Sequence, residues 1–337
     1  MCADEDGNKA EMGANWIHGV ENNPIFQIAE ENQLLQLRHQ DKTLCKKDLF
    51  VREDGELVGE RVVKEVDLEY GLLLAQCEDF YTSHRPVPDD VDSVGQFLDK
   101  NFHEKLTKKS KEHGDKLLRE VIFSQRKLLE CCISGCDSLN EVDLQDFGSY
   151  ENLPGIHYTI PPGFSTILDI LSKQIPAGNI KFNSAVSCIN WDLGPSSQYP
   201  ICVEMENGEK HYANHVIVTL SLGVLKANCD RLFRPSLPDD KLNAIACLGF
   251  GIVDKVFLEF DKPVLEPDVF RLNMLWDSHD EDDADRHSWC RKIYSFEVVH
   301  ERILVGKLIY NFVLISHYTK IYFHLNKIPV LLILDTL

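Results

Sequence analysis

The sequence predicts a mixed α/β (α+β) protein in which a helical insertion interrupts a sheet-bearing part. Three observations carry this. Residues 60–83 and 114–133 hold apolar side chains at helical spacing. From residue 150 onward, short β-branched runs separated by turn residues dominate. The 337 residues, 44% hydrophobic and 26% charged, suffice for a real core, which excludes a mainly disordered chain.

The elements follow in order. Asn23 is an N-cap candidate with Pro24 at the first helical position, and Ile25, Ile28, Ala29 and Leu35 share one face of a helix over 24–35. LFVREDGEL reads as a hairpin turning at Asp54-Gly55. Two long helices follow. The stripe of the second (Leu117, Leu118, Val121, Ile122, Leu128, Leu129, Cys132) is broken only by Gln125. PPGFSTILDILSKQI reads as a glycine turn and a short helix. Strands are expected at IKF, VSCINWD, PICVEME and HYANHVIVTL, with a turn at Asn207-Gly208. Residues 216–220 are unbroken apolar, as in a strand buried on both faces. Residues 238–248 look helical. Over 253–260 the chain alternates, with Val256, Leu258 and Phe260 on one side and Lys255, Phe257 and Glu259 on the other. Residues 307–337 carry +2 against −21 for 1–306 and show no clear periodicity. Their longest apolar stretch, 328–334, contains Pro329 and falls far below the ~20 residues that span a bilayer.

Charge narrows the function. With 35 Lys and Arg against 54 Asp and Glu, the net charge of −19 repels phosphate backbones and attracts cations, so no nucleic-acid partner is expected. Eleven scattered cysteines indicate a reducing compartment. Cys131, Cys132 and Cys136 make no CxxC pair, so no metal is expected and they read as small buried hydrophobes. The opening MCADEDGNKAEMG lacks an apolar signal run, which points to the cytoplasm. No Ser-His-Asp order, P-loop or GxGxxG is present. The GFG at 249–251 follows a helix and precedes a strand, the reverse of a dinucleotide loop.

Two places could carry chemistry. In EMGANWIHG, Gly13 and Gly19 bracket Trp16 and His18, and glycines let backbone approach a flat ligand. Trp16 and His18 are alternate residues and point the same way in extended chain; a loop with a packed Trp and an exposed His fits equally. Lys255, mid-strand, either ends in solvent at a sheet edge or, if buried, has a lowered pKa and can order water or move protons.

EMGANWIHG followed by NPIFQIAEENQLL resembles the flavin-contacting segment of the polyamine oxidases, a branch of the FAD-dependent amine oxidases. The resemblance continues through LLECCISGCDSLNEVDLQDFG, LPGIHYTIPPGF, VSCINWD, HVIVTLSLGVLK, GFGIVDKVFLEF and SWCRKI, over residues 10–306. It implies a partial FAD-linked amine oxidase fold with FAD as cofactor. Gly13, Ala14, Asn15 and Trp16 correspond to the loop that approaches the flavin, and His18 to the histidine that contacts the substrate amine. Val186 corresponds to the valine whose backbone meets the adenine, Thr219 and Leu222 to positions near the cofactor, and Lys255 to the lysine that holds a water against the flavin. The implied reaction converts spermine or an N1-acetylated polyamine, with oxygen and water, into an aldehyde, a shorter amine and hydrogen peroxide.

The resemblance also sets a domain plan: a remnant of an FAD-binding domain over 1–54, a helical insertion over 55–145, a mixed-sheet substrate and FAD-binding part over 146–306, and a tail outside the family pattern over 307–337. The family's first strand, GxGxxG loop and helix are expected to lie outside this chain, as is its last flavin segment. The acid that usually follows FG in LQDFG is Ser149 here, with Glu151 two residues on, and both are candidate substrate positions. An incomplete product of a polyamine-oxidase gene, poorly soluble alone, is expected. A non-catalytic interaction protein without FAD and a bare polyamine-binding module are the alternatives.

Overall fold

The computed structural model describes residues 2–3, 9–35, 47–109, 113–276, 288–310, 320–325 and 328–335. In chain order it has β1 (Cys2–Ala3), β2 (Lys9–Ala10), β3 (Trp16–Ile17), α1 (Pro24–Glu31), β4 (Lys47–Arg52), α2 (Glu60–Thr82), α3 (Val94–Lys109), α4 (His113–Ser134), β5 (Tyr158–Thr159), α5 (Ser165–Ser172), β6 (Val186–Asn190), β7 (Ile201–Met205) and β8 (Lys210–Ala213). Then come α6 (Leu222–Leu232), β9 (Phe233–Arg234), α7 (Asp239–Cys247), β10 (Ile252–Glu259), β11 (Val269–Leu275), β12 (Ser295–His300), β13 (Ile303–Tyr310), β14 (Lys320–Leu325) and β15 (Ile328–Asp335).

The chain divides into two compact units, residues 1–168 with 251–337, and residues 169–250. The first holds a seven-stranded sheet in the order β14-β15-β10-β13-β12-β11-β4, antiparallel except where β4 joins β11. The helices α2, α3 and α4 build its main core. On α2, Val63, Val66, Tyr70, Leu73, Cys77 and Phe80 are buried at alternating spacings of three and four, the stripe an amphipathic helix requires. They pack with Val94, Leu98 and Phe102 of α3, Val121, Ile122 and Phe123 of α4, and Phe50 and Leu275 of the sheet. Gln125, the break in the α4 stripe, is itself buried. Its amide donates to Asn273 Oδ1 at 3.2 Å and to the Tyr294 carbonyl at 3.1 Å, fastening α4 to β11 and to the residue that precedes β12.

The two faces of β10 follow the alternation read from sequence. Val256, Leu258 and Phe260 join Leu304 and Leu308 on one side. Phe257 lies with Ile303 and Val305 under Met12 on the other, the side of Lys255. Since β15 and β13 flank β10, Lys255 does not sit at a sheet edge.

The second unit is a four-stranded sheet, β8-β7-β6-β9, with α6 and α7. Ile189, Leu232 and Phe233 form its small core, edged by Val186.

The structure departs from the sequence reading at several points. Residues 216–220 form no strand: pairing stops at Ala213, and Ile217 is 88% exposed. IKF also forms none, with Phe182 exposed and Asn183 in the left-handed region at φ 55°. The first helix ends at Glu31, because Gln33 turns left-handed at φ 57°. Helix α3 was not expected, and the tail does form strands, β15 pairing antiparallel with β10. The boundary placed at 306/307 falls between adjacent residues of β13.

Candidate active site

The loop after β3 is built by a two-stranded ribbon. Trp16 pairs with Thr159 and Ile17 with Tyr158, so the next residues outward, His18 and His157, face each other. Their rings lie 4.9 Å apart at 67°. The Gly19 amide donates to His157 Nδ1 at 3.2 Å, which leaves Nε2 of a neutral His157 to carry the proton. Gly19 has φ +72°, and a Cβ there would lie 2.3 Å from the Leu153 carbonyl oxygen, so no other residue fits.

Asn23 holds this loop from beneath. Its Oδ1 accepts from Ile25 N (3.0 Å) and Phe26 N (3.3 Å), capping α1, while Nδ2 donates to the carbonyls of His18 and Gly19 at 3.1 Å each. His18 is exposed, yet partial burial, then His157, then Lys307 hold its imidazole below the ordinary histidine value, so it is neutral at pH 7.

Lys255 is 6% exposed. Its Nζ donates to the Glu11 carbonyl at 3.0 Å and to the Gly13 carbonyl. Burial pushes it down to about 8, helped by Lys307, its direct cross-strand neighbour, and opposed by Glu11 and Glu297. Lys307 is held by Glu297 at 3.5 Å, and Glu297 in turn by Arg271 at 3.0 Å. The hydrogen bonds that hold the Lys255 nitrogen among the described residues run to backbone carbonyl oxygens.

The structure thus brings Lys255 to the carbonyls at 11 and 13, and the same segment runs on through Ala14, Asn15 and Trp16 to His18. Glu11 also anchors the 163–165 turn, its carboxylate accepting from Phe164 N at 3.0 Å. Ser149 ends a short helical turn packed against α2, and both it and Glu151 are exposed. Val186, Thr219 and Leu222 belong to the second unit, where Val186 edges the core, Thr219 is exposed and Leu222 opens α6. A cleft of about 440 Å³ lies elsewhere, lined by residues including Gln76, Phe80, Arg85 and Phe97, and none of the expected site residues lines it.

The sequence reading missed Asn23 as a loop clamp, His157, Glu11, Glu297 and Lys307. Asn23 was visible only as a cap. His157, within LPGIHYTIPPGF, carries no local signal, since its partner is 139 positions away at His18.

The profile of the flavin containing amine oxidoreductases matches residues 3–298. The chain belongs to this family. Among its relatives, the human peroxisomal N(1)-acetyl-spermine/spermidine oxidase is 32% identical over 318 residues, covering 87% of this chain and 61% of that protein. The probable polyamine oxidase 5 of Arabidopsis thaliana is 30% identical over 75% of this chain and 53% of that protein. The chain therefore spans about 60% or less of these curated relatives. A redesigned putrescine oxidase shares the fold, with TM-score 0.52 at 14% identity over 90% of this chain and 66% of that one. The family is one of flavin-containing enzymes, and the residues here that fit against a flat cofactor are the buried Lys255 amine, on β10 and bonded to two carbonyls, and the His18 imidazole of the glycine-bearing segment to which those carbonyls belong. No helix among the described residues is long and apolar enough to cross a membrane.

Proposed function

We propose that this protein oxidises polyamines with FAD: a secondary amine, oxygen and water become an aldehyde, a shorter amine and hydrogen peroxide. The observation that carries the reading is Lys255, buried and fastened to the Glu11 and Gly13 carbonyls of the segment that leads to His18. FAD, when bound, supplies the hydride acceptor. The segment 13–16 and Lys255 would hold its ring, while Val186, Thr219 and Leu222 of the second unit are cofactor positions by the family resemblance alone. Neutral His18 accepts a hydrogen bond from the amine and keeps it unprotonated, the form that can lose hydride from the neighbouring carbon. Lys255 orders the water at the reacting face. Ser149 and Glu151 lie on the substrate side, and the chain's excess of acid favours a polycationic substrate. The expected compartment is the cytoplasm or, as for the relatives named as peroxisomal, the peroxisome.

The test is purification of the full chain, an absorbance scan and addition of spermine. Flavin bands and peroxide release support the reading. A colourless protein that releases no peroxide overturns it and favours a non-catalytic role, for which the exposed 216–220 run offers a contact surface. Spermine binding without turnover would leave a polyamine-binding module.

A further inference from the structure

Helix α4 ends in a turn that forces two thiols together. Gly135 follows the helix at φ +69°, and Cys136 N donates back to the Cys131 carbonyl at 3.1 Å. This six-to-one bond across a left-handed glycine is the Schellman closure, in which the first and last residues of the turn bring their side chains into contact. Here those residues are Cys131 and Cys136. Both sit in the helical core at 6% and 8% exposure, and Cys136 Sγ lies 4.0 Å from the Cys131 carbonyl oxygen. The last helical residues, Ile133 and Ser134, are exposed, so the pair lies at the solvent end of α4.

We propose that Cys131 and Cys136 form a peroxide-responsive dithiol site that closes to a disulfide. The Cys131 sulfur attacks one oxygen of hydrogen peroxide, giving a sulfenic acid and releasing water once the proton is returned. The Cys136 sulfur then attacks that sulfenic sulfur, forming the S–S bond and releasing a second water. In balance, two thiols and one peroxide become one disulfide and two waters, the two electrons passing from the sulfurs to the peroxide.

The roles follow from the surroundings. The neighbouring Cys136 thiol and Leu139 backbone, with the positive charge of Lys127, hold Cys131 below the ordinary thiol value against burial and Asp137. Cys136 is correspondingly pushed up, as the proton donor of the pair. With the Cys136 thiol engaged on the Cys131 carbonyl, Cys131 is the attacking sulfur and Cys136 the resolving one. Cys132, on the next position of the helix, is raised by burial and is not part of the pair.

The site has a mechanical neighbour. A Cβ at Gly251 would lie 2.1 Å from the Gly135 carbonyl oxygen and 3.2 Å from Cys136 N, so the peptide that must adjust when the sulfurs bond abuts the entry to β10, four residues before Lys255. Amine oxidation would supply the peroxide within the same molecule; that clause alone rests on the function proposed above.

The test uses added hydrogen peroxide on the reduced full chain, so it needs neither flavin nor turnover. Remaining thiols are alkylated without reduction, and the digest is read by mass spectrometry. Expected is a peptide lighter by two hydrogens, with two alkylation sites lost and fragment ions placing the bond between Cys131 and Cys136. The bond persists in Cys132→Ser and is lost in Cys131→Ser and Cys136→Ser, with circular dichroism checking that each variant folds. The wild-type fragment ions stand even where a variant does not. A bond to Cys132, a sulfinic acid at Cys131 without cross-linking, or unchanged thiols would each overturn the proposal.

Discussion

At the scale of single residues, the site is governed by one lysine that gives up solvation and is bonded to two backbone carbonyls. Its value of about 8 in the folded chain stands well below the unfolded lysine near 10.4. Between those limits the unfolded chain holds the extra proton, so stability rises with pH from about 8 to 10.5. Below pH 8 the buried charge costs on the order of 3 kcal/mol relative to the unfolded reference. The stability difference between wild type and Lys255→Met should therefore shift in favour of wild type across this window, read by urea unfolding at pH 7, 9 and 10.5; a difference flat with pH would contradict the assignment. At His18 the prediction is catalytic. His18→Gln should lower peroxide release from spermine by about a hundredfold with flavin content unchanged, and an equal rate would remove the imidazole from the mechanism. The strand alternation around Lys255 was legible in the sequence because side-chain period two fixes the face. Its burial was not, because that depends on β13 and β15 arriving from more than forty residues away.

At the scale of elements, local signals succeeded where the element satisfies itself. Asn23 and Pro24 marked the start of α1, and the α2 stripe marked a helix over nearly its full length. Helix α3 was missed because it has few apolar positions, although Val94, Phe97, Leu98 and Phe102 are all buried at helical spacing. Residues 216–220 failed the other way. A β-branched run is a strand only when a neighbouring strand pairs with it, and among the described residues none does. The Asn23 side chain joins two elements, so it can be separated by substitution. Asn23→Ala loses both the cap and the loop clamp and should cost about 1–3 kcal/mol. Asn23→Asp keeps an acceptor for the Ile25 and Phe26 amides and lacks the Nδ2 donor, so most stability should return. The amides of Gly19 and Val20 should still exchange faster, read by hydrogen exchange; protection equal to wild type would show that Nδ2 does not hold the loop. Gly251→Ala should destabilise by more than about 1 kcal/mol through overlap with the Gly135 carbonyl, seen in thermal unfolding.

At the scale of the whole molecule, the two units differ in how much they bury. The first has a continuous helical core and a seven-stranded sheet, whereas the second rests on a small core cluster around Ile189, Leu232 and Phe233 and leaves large apolar side chains in water, among them Phe182, Ile217, Val218 and Leu220. That contrast could not be read from hydrophobicity alone, since an apolar run scores alike whether it is covered or not. Exposed β-branched segments without charge are templates for association. Their removal costs the fold little, because an 88% exposed isoleucine has almost no burial to lose. The double variant Ile217→Lys, Val218→Thr should thus leave unfolding stability within about 0.5 kcal/mol of wild type while raising the concentration at which light scattering begins several-fold. A loss of stability would mean that these side chains pack in solution against a surface of this chain, and an unchanged scattering onset would place the association elsewhere.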